Sequence, residues 1–184
     1  VLASMIERDG NPVLGRGFYK APTQFPNLET GEGNATNAYS FEAQIAEVEV
    51  DPETGKVRLL NMTVGHDTGT TINPLSVEGQ LEGSVSMGMG QVLYEKSLIE
   101  NGQLLNPGFL DYKLHTALEM ANTKSILVDT VNPEDPFEPK EAGEGTQVAT
   151  PSAIANAIYD AIGVRIKDLP ITPEKVLKAL EEKR

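Results

Sequence analysis

Apolar and polar residues alternate along residues 39–50 and again along 56–65, with Asp51-Pro52-Glu53-Thr54-Gly55 between them. Proline presets φ and glycine admits positive φ, so the pattern predicts a β-hairpin. In its first arm Ala43, Ile45, Glu47 and Glu49 share one face, and Gln44, Ala46, Val48 and Val50 the other, which is the better core face. Asn73-Pro74 then combines a capping side chain with a residue suited to the first helical position. The absence of another proline before residue 96 predicts a helix of about 22 residues. Asn101-Gly102 predicts a second, short hairpin, and the β-branched run 125–131 a further strand ended by Asn132-Pro133. A loop is expected to carry residues 140–145. Thr150-Pro151-Ser152 reads as the start of a helix with Ile154, Ala155, Ala157, Ile158, Ala161 and Ile162 on its apolar face and Gly163 at its end. Thr172-Pro173-Glu174 repeats the capping logic for a last helix with Val176, Leu177 and Leu180 inward. Residues 1–36 are broken by Gly10-Asn11-Pro12, Pro22, Pro26, Gly31 and Gly33 and read as an extended arm before one domain over 37–184. The fold class expected is α+β, antiparallel strands packed on helices.

The first helix has an unusual composition. Gly79, Gly83, Gly88 and Gly90 all lie inside it, and each interior glycine costs about 1 kcal/mol relative to alanine. Gly79, Gly83, Ser86 and Gly90 follow one helical stripe, along which a backbone or a bulky cofactor can approach closely.

Composition narrows the function classes. Fifteen Lys and Arg against 27 Asp and Glu leave a net charge of −12 in 184 residues, a field that repels nucleic acid and anionic bilayers. No apolar run is long enough for a membrane helix. With no cysteine, the chain holds no iron–sulfur cluster, thiolate zinc site or disulfide of its own, which fits a cytoplasmic location. His66 and His115 lack ligand-like spacing. Starting at Val1 without a signal-peptide pattern, the sequence reads as a segment of something longer.

Three places carry candidate chemistry. Glu144 has glycine on both sides; such a loop lets a ligand come close to a general base, although a glutamate in a glycine loop is more often a solvated turn acid. Gln80 follows Gly79 on the small-residue helix, where a primary amide can read a polar ligand edge or merely satisfy a neighbouring backbone. His66-Asp67 suggests proton transfer or metal binding, against the simpler reading that Asp67-Thr68-Gly69 forms a turn. A hydrolase built on His66 and Asp67 lacks a nucleophile at matching spacing.

AEVEVDPETGKVR (46–58), HDTGTTINPLSVEGQLEGSV (66–85), KEAGEG (140–145) and PSAIANAIYDAIGVRIKDLPITPEKVL (151–177), in that order, resemble the molybdenum-binding large subunits of the xanthine oxidase and aldehyde oxidoreductase group. The resemblance implies a C-terminal part of a molybdopterin-dependent oxidoreductase subunit, inactive when isolated. It implies Glu144 as the general acid/base beside the molybdenum, Gln80 as a contact to the pterin, and a structural role for His66, with no protein ligand to the metal. Molybdopterin in cytosine dinucleotide form is expected, with iron–sulfur centres and optionally FAD on partner subunits. MGMGQ (87–91) together with KEAGEG is most similar to the catalytic subunits of 4-hydroxybenzoyl-CoA reductases, which remove a ring hydroxyl reductively from a small aromatic substrate; Lys140, Arg165 and Lys167 are then the candidates for a basic patch toward the anionic ester. The alternatives are a purine, nicotinate or aldehyde hydroxylase, and a non-catalytic cofactor-binding module.

Overall fold

The computed structural model describes residues 14–183. The chain divides into two units, one ending at Asn37 and one starting at Ala38. In the first, residues 14–37 hold no helix or strand. Asn27 organises a turn there, its side-chain oxygen accepting from the N–H of Glu29 at 2.8 Å and of Thr30 at 3.3 Å. The Gly10-Asn11-Pro12 turn signal lies outside the described residues.

The second unit runs β1 (Glu42–Val50), β2 (Val57–Asp67), α1 (Pro74–Leu93), β3 (Ile99–Glu100), β4 (Gln103–Leu104), β5 (Asn122–Val128), α2 (Glu144–Ile162) and α3 (Pro173–Lys183). β1 and β2 form the expected hairpin. Asp51 accepts from the N–H groups of Glu53 and Thr54 and from the Thr54 hydroxyl, and Gly55 sits at φ +72°. Gln44, Ala46, Val48 and Val50 turn inward and the other set outward, leaving Ile45 71% exposed. The register shifts between Glu47 and Val48, which pair with Asn61 and Leu59. The residue skipped, Leu60, forms a bulge that keeps Val57 and Leu59 on the same face as Met62 and Val64, although Leu59 and Met62 are out of step for a regular strand.

The sheet is not wholly antiparallel. Its order is β1-β2-β5, and β5 pairs with β2 in parallel, from Asn61 opposite Asn122 to Asp67 opposite Val128. A parallel neighbour requires a long crossover, which α1 and the β3–β4 hairpin supply; the turn of that hairpin places Asn101 at φ 49° and Gly102 at φ 78°. β5 also begins and ends three residues earlier than the β-branched run predicts, because its pairing follows β2 rather than composition.

Helices α1 and α2 pack on each other and on the sheet. Leu81, Val85, Met89 and Val92 from α1, Ile154 and Ile158 from α2, Met62 and Val64 from β2, and Val176 from α3 are buried to 1% exposure or less. Ala161, expected inward, is exposed, and Ala179 is buried instead beside Val176.

The expected start of α2 at Thr150 is wrong by two turns. The helix begins at Glu144 and carries Pro151 inside it, where proline removes one helical hydrogen bond and crowds the preceding turn. Side chains of β1 supply partners along that stretch. Gln44 donates to the carbonyl of Thr146 at 2.6 Å and accepts from the Thr150 hydroxyl at 2.8 Å, and Glu42 accepts from Ala149 N–H at 3.0 Å. Thr150 therefore works within the helix, not as its cap.

The small-residue stripe divides in two. Among the described residues, a Cβ at Gly79 or Gly83 would meet nothing within 4 Å, whereas Gly90 is covered by the Glu95 side chain. α1 meets α2 closely at Gly88, off the stripe, where a Cβ would lie 2.6 Å from Thr150 Cβ and Cγ2. Gly88→Val is thus expected to force the helices apart and lower unfolding free energy by about 1–3 kcal/mol, measured as a reduced urea midpoint with an unchanged slope.

Candidate functional site

The site begins where β2 leaves the sheet. Asp67 accepts from Gly69 N–H at 3.1 Å, and Gly69 takes φ +59°, turning the chain toward α1. The turn pairs with the segment before α2: Thr70 N–H donates to Glu138 O and Lys140 N–H to Thr68 O, both at 2.8 Å. Asn73 caps α1 by accepting from Ser76 N–H at 3.2 Å. The loop of residues 139–143 is thereby laid along the first half of α1.

Two contacts fix the end of that loop. The Ser84 hydroxyl donates to Gly143 O at 2.7 Å, and Gln80 Oε1 lies 3.4 Å from where a Cβ on Gly143 would stand. The residue after Gly143 is Glu144, the first of α2 and exposed. Glu144 is thus at a helix N-terminus rather than in the loop expected for it. Gln80 and Glu144, distant in sequence, stand at one edge of the fold beside the open positions Gly79 and Gly83. A cavity of about 250 Å³ adjoins this edge, lined by Thr70, Ile72, Asn73, Gln80 and Ala142 among others.

Beneath the edge are two polar clusters. Asp67 accepts from Lys140 Nζ and from the Thr130 hydroxyl, both at 2.6 Å, and the two ionic side chains are only 6% and 10% exposed. Burial alone would raise the Asp67 pKa, but the bonds from Lys140, Thr130 and Gly69 N–H outweigh it and hold the carboxyl below its usual value. Lys140 is therefore committed to an internal pair, and Arg165 lies over the Tyr159 ring at 4.2 Å and donates to Asn156. Lys140 is thus taken out of the expected basic patch, while Arg165 and Lys167 line one cleft.

The second cluster surrounds His66, which is 1% exposed. Its Nε2 is 2.9 Å from Glu141 O, and its Nδ1 is 3.4 Å from the Thr146 hydroxyl and 3.6 Å from Glu42 Oε2. Asp67 makes the turn that the simpler reading gives it, and His66 joins the strand to the loop and to α2. Glu141, Lys140 and Thr130 were not singled out as partners from sequence. The second acid in Glu141-Ala142-Gly143-Glu144 was the available signal.

The chain matches the family described as "Molybdopterin cofactor-binding domain" over residues 2–121, which include Gln80 but not Glu144. It is 40% identical over 147 residues to the 6-hydroxypseudooxynicotine dehydrogenase complex subunit gamma of Paenarthrobacter nicotinovorans, covering 78% of this chain and 18% of that protein. It is 33% identical over 152 residues to a putative xanthine dehydrogenase molybdenum-binding subunit of Escherichia coli, covering 82% and 20%. Among solved structures, the aldehyde oxidoreductase of Desulfovibrio desulfuricans superposes with a TM-score of 0.81 at 29% identity, over 96% of this chain and 19% of that one. The chain spans about a fifth of the length of these relatives. A family match over well over half the sequence, joined to this shared fold, leaves one assignment: the chain belongs to the molybdopterin cofactor-binding domains of the xanthine dehydrogenase and aldehyde oxidoreductase large subunits.

Proposed function

We propose that this chain supplies one wall of the active site of a molybdenum hydroxylase, with Glu144 as its proton-transferring carboxylate and Gln80 as a contact to the cofactor. The observation that supports it is the meeting of Gln80 with Gly143, the residue before Glu144, at the edge where Gly79 and Gly83 leave α1 bare. Those two glycines relieve no clash among the described residues and each weakens the helix by about 1 kcal/mol relative to alanine, so their small size suits the close approach of a flat group. When bound, the cofactor would supply the two-electron redox chemistry of the reaction. This chain's own part is to hold the pterin edge through the Gln80 amide and to accept the substrate-side proton on the Glu144 carboxylate.

Relatives named for dehydrogenation of 6-hydroxypseudooxynicotine, xanthine and nicotinate, and for oxidation of aldehydes, favour oxidation of a nitrogen heterocycle or aldehyde over reductive removal of a ring hydroxyl. The internal Lys140–Asp67 pair, which takes away a cation expected to meet a CoA ester, points the same way. The reading includes a cytosine dinucleotide form of the cofactor, the remaining part of the molybdenum subunit, and iron–sulfur and FAD subunits as electron carriers. None of the helices among the described residues is long and apolar enough to cross a membrane.

In the assembled enzyme, Gln80→Ala is expected to lower the molybdenum and pterin content per subunit. Its effect on unfolding should be small, within about 0.5 kcal/mol, as for an exposed substitution. Metal analysis of the purified complex measures the first and urea unfolding the second. Full cofactor occupancy in Gln80→Ala would remove the contact.

A further inference from the structure

The geometry points to Glu141 as a positioning residue that fixes the backbone on both sides of Glu144, a role that rests on the reading of Glu144 given above. Glu141 Oε2 accepts from Gly143 N–H at 3.0 Å and from Gly145 N–H at 3.2 Å. These are the two residues that flank Glu144, and one oxygen holds both. A Cβ on Gly145 would strike the Glu141 carboxylate and come within 3.3 Å of His66 Cε1, so glycine at this position makes room for the clamp rather than for a ligand.

Glu141 is itself anchored from below. Its carbonyl accepts from Nε2–H of the buried His66 at 2.9 Å, and its Oε1 lies 3.5 Å from the same nitrogen. Nδ1 on the other side of the ring lies 3.4 Å from the Thr146 hydroxyl, so the ring joins β2, the loop and the first turn of α2. The charged or titratable groups at Glu141 and its anchor are His66 from β2 and Glu42 from β1.

The physical consequence follows from the helix terminus. The first N–H groups of a helix have no partner within it and attract any nearby carboxylate. Glu144, in the first turn, is the carboxylate best placed to fold back onto them. Glu141 takes up two donors at this end, so fewer free N–H groups remain to draw the Glu144 side chain back onto its own helix. A general base misplaced by about 1 Å loses on the order of a hundredfold in rate.

Amide hydrogen exchange and steady-state kinetics on the complete enzyme test this together. Glu141→Ala is expected to speed exchange in the segment of residues 143–147 and to lower kcat by about a hundredfold with KM nearly constant. Glu141→Gln, whose carbonyl oxygen can replace Oε2, is expected to restore slow exchange and most of the turnover. Glu141→Asp, with its acceptor drawn back by one methylene, should fall between them and serves if Glu141→Ala does not assemble. Unchanged exchange in Glu141→Ala, or unchanged kcat in either it or Glu141→Asp despite faster exchange, would overturn the positioning role. Glu144→Gln run in parallel separates the two ideas: full turnover there would refute Glu144 as the base, while the exchange data would still report on the clamp.

Discussion

Glu144→Gln is expected to reduce kcat of the assembled enzyme by about two to four orders of magnitude, the usual contribution of a positioned general base. At about 1.36 kcal/mol per tenfold change, that is a barrier raised by about 3–5 kcal/mol. The fold should scarcely register the change. Glutamine has the same length, Glu144 is exposed, and its helical position tolerates an amide. Losing a negative charge from the first turn of α2 removes only about 0.3–1 kcal/mol of dipole interaction. The gap between the two effects makes the result interpretable: turnover per molybdenum falls while molybdenum content and the unfolding midpoint stay close to those of the unaltered protein. Turnover per metal within about threefold of the original would exclude Glu144 as the proton acceptor. A parallel loss of metal and turnover would place Glu144 with the cofactor contacts instead.

The elements that could be read from sequence are those whose causes are local. Asp51 and Gly55 make the first turn by contacts within five residues, Asn73 caps α1 within three, and Gly163 ends α2 at φ 69° with its N–H on Tyr159 O. What misled is non-local. Thr150-Pro151-Ser152 has every mark of a helix start, yet Glu42 and Gln44, roughly a hundred positions earlier, provide bonds that let α2 run through it. The parallel placement of β5 depends on how α1 crosses the sheet, which no property of residues 122–128 encodes. In the candidate site, Gln80 and Glu144 were identifiable singly, from glycine neighbours and from family motifs. That they lie at one edge depends on the pairing of residues 68–70 with 138–140 and on the Ser84 bond to Gly143. Glu141 was hidden for the same reason, since a carboxylate that caps a helix and one that faces solvent look alike in a string of letters.

The pair Lys140–Asp67 yields the largest expected effect on stability. Removing one member of a buried ion pair strands the other, at about 3–5 kcal/mol. Lys140→Met should approach that figure, because Asp67 would keep only Thr130 and Gly69 N–H as partners in a site that is 6% exposed. The acid dependence supplies the sign. The Asp67 pKa is lowered in the folded protein, so its stabilisation is complete above the unfolded value of about 3.9 and is lost as pH falls through the depressed folded value. In the unaltered chain this loss occurs only below about pH 4. In Lys140→Met burial is left to act against fewer bonds, the folded pKa rises, and acid destabilisation by this group diminishes or reverses. Urea unfolding at pH 7 and at pH 3 therefore distinguishes the variants: Lys140→Met should lose most at pH 7 and differ least from the original at pH 3. The double variant Asp67→Asn/Lys140→Met, which leaves no buried charge, should recover a large part of the loss at pH 7, and the amount by which its loss falls short of the summed losses of Lys140→Met and Asp67→Asn measures the coupling between the two residues.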